Sequence, residues 1–219
     1  MRISREEEQY IRYVSEHGLP RRLISRLAEI RHAIPGFLAD CSAEILSSRP
    51  KVVGFSTTFS QTVPSLALSR RLKTEDPSLF VLFGGSSCED PMGEALQRVY
   101  PWIDVVISGE AETILGPLVQ GLLTHQPLPR LSGVHFRTPH GGLSAASPRR
   151  QVQMSDVPVP DYDEYFSRLS CTAIGGELDR HIFLPIEHSR GCWWGAKHQC
   201  TFCGLNGSDI AYRAKPSEQ

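Results

Sequence analysis

Apolar positions recur at intervals of three and four over the first fifty residues and then give way to short unbroken apolar runs. Ser4 followed by Glu7 has the form of a capping box, predicting a helix that Gly18 can end. Pro20 suits the first turn of a second helix. Leu23, Ile24, Leu27, Ile30, Ile34, Leu38, Cys41 and Ile45 then mark one face, so residues 20–48 read as an amphipathic helix, kinked or broken at Pro35. From residue 51 the texture changes. The runs Lys51–Ser56, Leu79–Gly84 and Ile103–Ser108 alternate with helical patterns over 63–74, 91–100 and 111–123. Strands apolar on both faces, alternating with helices, predict an α/β protein with a doubly wound parallel sheet covered by helices.

Leu131–Arg137 and Gly142–Ala146 flank Thr-Pro-His-Gly and read as a hairpin appended to that sheet, with His135 and His140 at surface or turn positions. The run Ser155–Asp163, rich in proline and aspartate, marks a boundary. Ile182–Glu187 reads as a strand, which Pro185 places at a barrel or sheet edge, leading directly into a cysteine-rich stretch. The expected organisation is a helical lead-in over 1–50, an α/β domain with its hairpin over 51–150, a linker over 151–180, and the start of a further domain over 181–219.

Composition narrows the function classes. A chain of 219 residues with 40% hydrophobic content can bury an ordinary core. A formal net charge of -1 without a long basic run gives no electrostatic reason to propose nucleic acid or an anionic membrane surface. No apolar stretch approaches the ~20 residues of a membrane span. The opening Met1–Glu8 turns acidic too soon for a signal peptide, so the expected compartment is the cytoplasm, where thiols stay reduced. Six cysteines in that setting favour a metal over disulfides. Cys41, on the apolar stripe, reads as packing, and Cys88 reads as incidental.

Two places carry candidate chemistry. Ligands of parallel α/β sheets lie beyond the carboxyl ends of the strands. Those ends are Ser56-Thr57-Thr58-Phe59-Ser60-Gln61, Gly84-Gly85-Ser86-Ser87 and Ser108-Gly109-Glu110-Ala111-Glu112, all small or polar and suited to close backbone approach. Taken singly, the glycines could serve only turns, and Glu110 and Glu112 only the next helix dipole. Together they point to a site. The second place is Arg190–Asn206, where Cys192, Cys200 and Cys203 could meet at one metal centre. Three protein ligands leave one coordination position for a substrate or cofactor. On ligand count alone the set suits zinc and an iron-sulfur cluster equally, since His198 or His188 would complete a Cys3His site. The absence of a second Cys-x2-Cys pair, and the aromatic Phe202 just before the last cysteine, argue against zinc.

The order strand, Cys192, seven residues, Cys200-Thr201-Phe202-Cys203 resembles the radical S-adenosylmethionine superfamily, although the first spacing there is usually three. The longer strings Arg190-Gly191-Cys192-Trp193-Trp194-Gly195 and Cys200–Gly207 look like the cobalamin-dependent radical enzymes that mature ribosomally made peptides. Val53–Phe59, Phe83–Ser86, Asp104–Glu110 and Pro158–Asp163 are similar to that group's cobalamin domain and linker. The resemblance covers about residues 40 to 210. It implies a 4Fe4S cluster on Cys192, Cys200 and Cys203, whose fourth iron takes S-adenosylmethionine, and Phe202 near the adenine. It implies cobalamin near Ser56, Thr57, Thr58, Gln61, Gly84, Gly85, Gly109 and Glu110, and methyl transfer to carbon of a precursor peptide. Trp193 and Trp194 would line the cluster loop or pack.

No Asp-x-His-x-x-Gly string supplies a cobalt-coordinating histidine. Only 16 residues follow Cys203, whereas a full barrel needs ~200 or more. The expectation is therefore a slice of a larger enzyme, with a second chain as one way to complete the barrel. Against it stands the alternative of a non-catalytic cobalamin- or metal-binding module.

Overall fold

The computed structural model describes residues 5–124, 131, 133–137, 151–178, 181–198, 200, 201, 203 and 210–218. Ser4, Phe202 and the second hairpin arm, 142–146, lie outside the described residues. Two helices lead in, α1 (Arg5–Glu16) and α2 (Arg21–Ser47). Gly18, at φ 82°, ends α1: its N–H bonds Ser15 C=O, and Leu19 N–H bonds Val14 C=O. A left-handed residue after the last turn is how helices commonly close, and only glycine adopts it without cost.

Of the two alternatives at Pro35, kinked or broken, α2 corrects the second. It runs unbroken through Pro35. A proline removes one helical bond, which an exposed helix can leave to water, and Ile34 and Phe37 on either side are 45% and 65% exposed. The apolar stripe is accordingly buried only in part. Val14 of α1 packs at one end, while Ile45 and Leu46 join the main core at the other.

The sheet consists of β1 (Val52–Ser56), β2 (Phe80–Gly84), β3 (Val105–Ile107) and β4 (Val134–Phe136), in that spatial order. β1, β2 and β3 are parallel, with Val52 opposite Phe80 and Leu82 opposite Val105, and β4 is antiparallel to β3. Helices α3 (Thr62–Glu75), α4 (Met92–Val99) and α5 (Leu115–Thr124) connect them. Period-two alternation divides the strand residues between two cores. Phe55, Val81, Phe83 and Val106 meet Leu66 and Leu72 of α3, Leu96 of α4 and Ile45 of α2. Leu82, Val105, Ile107 and Val134 meet Ile114 and, from α5, Leu118 and Leu122. Sequential parallel strands joined by right-handed crossovers put α3 and α4 on one face, and α5 takes the other. The expected α/β sheet covered on both faces is therefore present. Each such buried aliphatic or aromatic side chain stabilises the domain by about 1.5–3 kcal/mol.

Polar ties fix the layers. Lys73 Nζ donates to both Asp104 oxygens, at 3.0 and 2.8 Å, and to Leu79 C=O, while Asp104 Oδ2 also accepts Val81 N–H. Gln97, fully buried, donates from Nε2 to the carbonyls of Asp104 and His135, joining α4 to β3 and β4. His135 is a second correction. It is 4% exposed rather than superficial, because the first hairpin arm has become an inner-face strand of the main sheet, and its Nε2 lies 2.8 Å from Asp90 Oδ1.

Beyond the sheet come α6 (Asp163–Ser170), α7 (Gly175–Leu178) and the two-stranded ribbon β5 (Ser189–Arg190) with β6 (Arg213–Ala214). The predicted strand at Ile182–Glu187 is not formed. It pairs with no strand among the described residues, and Phe183 and Ile186 stand 90% and 75% exposed. Among the described residues no helix is long and apolar enough to cross a membrane.

Candidate functional site

The loops after β1 and β2 are interlocked. Thr57 N–H donates to Gly84 C=O at 2.8 Å, and Ser87 N–H donates back to Thr57 C=O at 3.1 Å. Thr57 is fully buried, with Oγ1 3.2 Å from Gly84 O and 3.7 Å from Cys88 Sγ. Burial pushes the Cys88 thiol pKa up, opposed by its contact with Thr57. Cys88 is therefore packed into the lock and, as expected, does not line the cleft. Gly85, at φ 91°, makes the close approach possible, since a Cβ there would stand 2.6 Å from Thr57 O and 2.7 Å from Thr57 N. Thr58 and Gln61 are engaged with each other, Thr58 N–H donating to Gln61 Oε1 at 3.0 Å in a reciprocal cap.

Over the strand ends opens a cleft of about 690 Å³. One side is Ser56, Gly85, Ser86, Gly109, Glu110 and Glu112; the opposite side is Glu187, Arg190, Gly191 and Arg213 from the ribbon segment. A shallower apolar depression of about 350 Å³ adjoins it, lined in part by Gly54, Ser56, Leu82, Gly84 and Ile107. These volumes match small-molecule sites. Of the sequence-predicted residues, Ser56, Gly84, Gly85, Gly109 and Glu110 thus converge, whereas Thr57 is turned inward and Thr58 and Gln61 cap the next helix.

The two sides are joined by charge. Glu110 Oε1 accepts from Arg213 Nη2 at 2.6 Å and lies 3.3 Å from Arg190 Nη1; Oε2 accepts from Arg213 Nη1 at 3.1 Å and from Val152 N–H at 2.6 Å. Arg213 Nη1 also donates to Val152 C=O. Arg190 donates to Glu187 through Nε and Nη2, both at 2.8 Å, and to Glu112 through Nη2. Burial acts to raise the Glu110 pKa, but bonds from Arg213, Val152 and Arg190 outweigh it and hold the carboxyl below its usual value. Arg190's bond to Glu187 likewise lowers Glu187, and Arg190 itself is held more firmly protonated, first by Glu187. Glu110 and Glu112 therefore serve neither as simple helix-dipole partners nor as free groups. Arg213 carried no signal in the sequence, since its partner lies 103 positions away.

Arg190 leads directly to the cysteines. Gly191, at φ 77°, packs against Ala211 C=O so closely that a Cβ would overlap it, and Cys192 N–H donates to Ile210 C=O at 3.1 Å. Cys192 Sγ accepts Gly195 N–H at 3.3 Å. Cys200 and Cys203 share one turn, Cys203 N–H donating to Cys200 C=O. Trp193 and Trp194 meet edge to face and are 61% and 49% exposed, and Trp194 lies 4.9 Å from the His198 ring.

Fit to the implied groups differs between the two places. Gly85 and Gly109 line the cleft and Gly54 and Gly84 the adjoining depression, which suits close approach of a flat ligand to the main chain. The cysteines fit a cluster by donor chemistry and by the Cys200–Cys203 turn. They are not gathered, however: all three are free, and among the described residues no three His, Cys, Asp or Glu side chains converge to hold a metal. Neither the three-cysteine set nor a Cys3His set is assembled.

A largely parallel α/β sheet with a cleft at its strand ends, faced by a cysteine-bearing segment, defines an α/β fold of the Rossmann-like class. The solved structures similar to it make the class narrower. A cobalamin-dependent S-adenosylmethionine radical enzyme, OxsB, with aqua-cobalamin and S-adenosylmethionine bound, superposes with a TM-score of 0.62 at 23% identity, covering 83% of this chain and 24% of that one. Its apo form gives 0.60. The chain thus shares its Rossmann-like α/β fold with a part of that enzyme. By sequence, the chain is 26% identical over 182 residues to the 2-(S-pantetheinyl)-carbapenam-3-carboxylate methyltransferase of Streptantibioticus cattleyicolor, covering 81% of this chain and 25% of that protein. It is 27% identical over 171 residues to an uncharacterized methyltransferase of Pyrococcus horikoshii, covering 75% and 34%. An anaerobic magnesium-protoporphyrin IX monomethyl ester cyclase of Synechocystis is 26% identical over 145 residues. The chain thus spans about a quarter to a third of the length of these relatives. No protein-family model matches it.

Proposed function

We propose that this chain is the cobalamin-holding and cluster-holding part of a radical S-adenosylmethionine methyltransferase. The carrying observation is the bidentate pairing of Arg213 with Glu110, together with Arg190, which holds the segment leading to Cys192 over the sheet's strand ends. Ser56, Gly84, Gly85 and Gly109 would lie beneath the corrin. Cys192, Cys200 and Cys203 would take a 4Fe4S cluster, which gathers them as it binds, since such sites seldom exist before the metal does. Phe202, outside the described residues, would border S-adenosylmethionine. Once bound, these groups would supply a carbon radical and a methyl donor. The chain's own contribution is to bring its two binding places face to face, which proximity requires.

The acceptor we propose is carbon of a ribosomally made precursor peptide, in the cytoplasm, with a second chain or further sequence completing the barrel. The strings around Cys192 and Cys203 support that reading. Similarity to a methyltransferase named for a carbapenam carboxylate favours a second reading, in which only the acceptor differs.

Anaerobic reconstitution with ferrous iron, sulfide and hydroxocobalamin tests the proposal. Cobalamin should co-elute with the protein, the visible absorption of a 4Fe4S cluster should appear, and Cys192→Ala should lose the absorption while retaining cobalamin. Stoichiometric zinc with no iron uptake would overturn the cluster assignment, and failure to retain cobalamin would overturn the cleft assignment. Labelled methyl transfer to a peptide or to a small carboxylate decides the acceptor.

A further inference from the structure

Glu110 sits at the carboxyl end of a parallel strand, where a ligand contact is the ordinary expectation. Its surroundings leave it no capacity for one. Its side chain is 12% exposed. Both oxygens are committed, Oε1 to Arg213 with Arg190 3.3 Å away, and Oε2 to Arg213 and the Val152 N–H. Those donors belong to three separate segments, at 152, 190 and 213, and the two arginines face each other in the register of β5 and β6. A carboxylate meeting a guanidinium fork by two bonds fixes direction as well as distance. From Arg190 the path to the first cysteine is two residues long and offers little play, because Gly191 is wedged on Ala211 C=O and Cys192 is bonded to Ile210 C=O.

We infer that Glu110 is a positioning residue, not a cofactor contact: it locks the ribbon carrying Arg190 and Arg213 onto the end of β3 and thereby fixes Cys192 relative to the cleft. The cofactor half of this statement rests on the cobalamin reading above; the positional half does not. Glu112 and Glu187 hold the same Arg190 from two further sides, so the guanidinium cannot rotate away while Glu110 is in place. Partly buried ion pairs of this kind contribute more to a unique arrangement than to net stability.

Amide hydrogen exchange of the full chain, with and without hydroxocobalamin, separates the possibilities. In Glu110→Gln, protection at 189–192 and 213–215 should fall roughly tenfold to hundredfold, the equivalent of one charge-assisted bond. Protection in β1, β2 and β3 should stay at wild-type levels, and any loss of cobalamin uptake should accompany the loosening of the ribbon, which forms the far side of the cleft. Glu110→Asp, which keeps the carboxylate, should recover part of the lost protection, whereas a residue that merely fills space would gain nothing from the retained charge. Unchanged ribbon exchange in Glu110→Gln would overturn the inference. So would loss of cobalamin uptake with the ribbon still protected, which would make Glu110 a corrin contact. Equal loss of protection in sheet and ribbon would overturn it as well. If even the wild type takes up no cobalamin but the ribbon contrast persists, the cofactor reading fails and the positioning role stands. Should Glu110→Gln not fold, Arg213→Gln removes the same fork from the other side and carries the same expectations.

Discussion

Gly85→Ala tests whether the interlocked loops beneath the cleft are rigid. Two costs can be worked from the geometry. At φ 91° and ψ 179° the backbone lies in a region essentially reserved for glycine, and another residue there costs about 1–3 kcal/mol. Its Cβ would also stand 2.6 and 2.7 Å from the Thr57 carbonyl oxygen and nitrogen, where backbone must move. Thr57 is tied to Gly84 and Ser87 by main-chain bonds, so moving it stretches at least one of them, at about 1 kcal/mol. The sum is about 2–4 kcal/mol. With a urea m-value of roughly 2 kcal/mol/M, the unfolding midpoint should drop by about 1–2 M, followed by far-UV circular dichroism. Gly54→Ala is the companion. Nothing lies within 4 Å of its Cβ position and its φ is not positive, so its midpoint should stay within about 0.3 M of the wild type. Gly54 nevertheless borders the apolar depression, so a methyl there should weaken cobalamin uptake. A Gly85→Ala midpoint indistinguishable from the wild type would refute the claim that Thr57 cannot yield.

Lys73→Met should destabilise the domain by about 1–2 kcal/mol, because it strips three bonds from Asp104 and Leu79 and leaves a part-buried carboxylate with only Val81 N–H. Adding Asp104→Asn should recover part of that loss in urea titration; an additive double mutant would contradict the pairing. The ribbon should also release in acid. Glu110 and Glu187 have folded pKa values below their unfolded ones, so their contribution is fully present above the unfolded value of ~4.3 and is lost as pH falls through the folded values. The charged groups around them are Arg190, Arg213, Glu112 and Lys215, and those arginines stay protonated throughout. Limited proteolysis should find 187–191 protected near neutrality and cut only below ~pH 4; release well above that would point to another group.

Much of the α/β domain could be read from the chain because local chemistry dictates it. Val52–Ser56, Phe80–Gly84 and Val105–Ile107 fall within the predicted strands, since short apolar runs alternating with helical patterns have few other outcomes. The predictions that failed were those needing a distant partner. Ile182–Glu187 has the composition of a strand but no strand partner among the described residues, and strand formation is decided by pairing rather than by composition alone. His135 looked superficial because a hairpin arm was expected to stand apart; its burial follows only once β4 is known to pair with β3. Thr57 looked available for the same reason, as its neighbours Gly84 and Cys88 come from another loop.

The acidic strand end shows why such sites mislead a local reading. Glu110 and Glu112 just ahead of a helix satisfy the rule that carboxylates favour helix N-termini, and that rule accounts for them without further structure. Its worth is about 0.3–1 kcal/mol, a weak reason to bury a carboxylate to 12% exposure. Burying a charge is tolerable only when good donors replace water, and here four bonds or close contacts from three segments do so. That imbalance is a physical signal that the local explanation is insufficient. It also explains the division of labour over the cleft. Glycines face the space a ligand would fill and leave main chain bare, whereas the charged residues of the rim are spent on one another, fixing the distance between the sheet and the segment that carries Cys192.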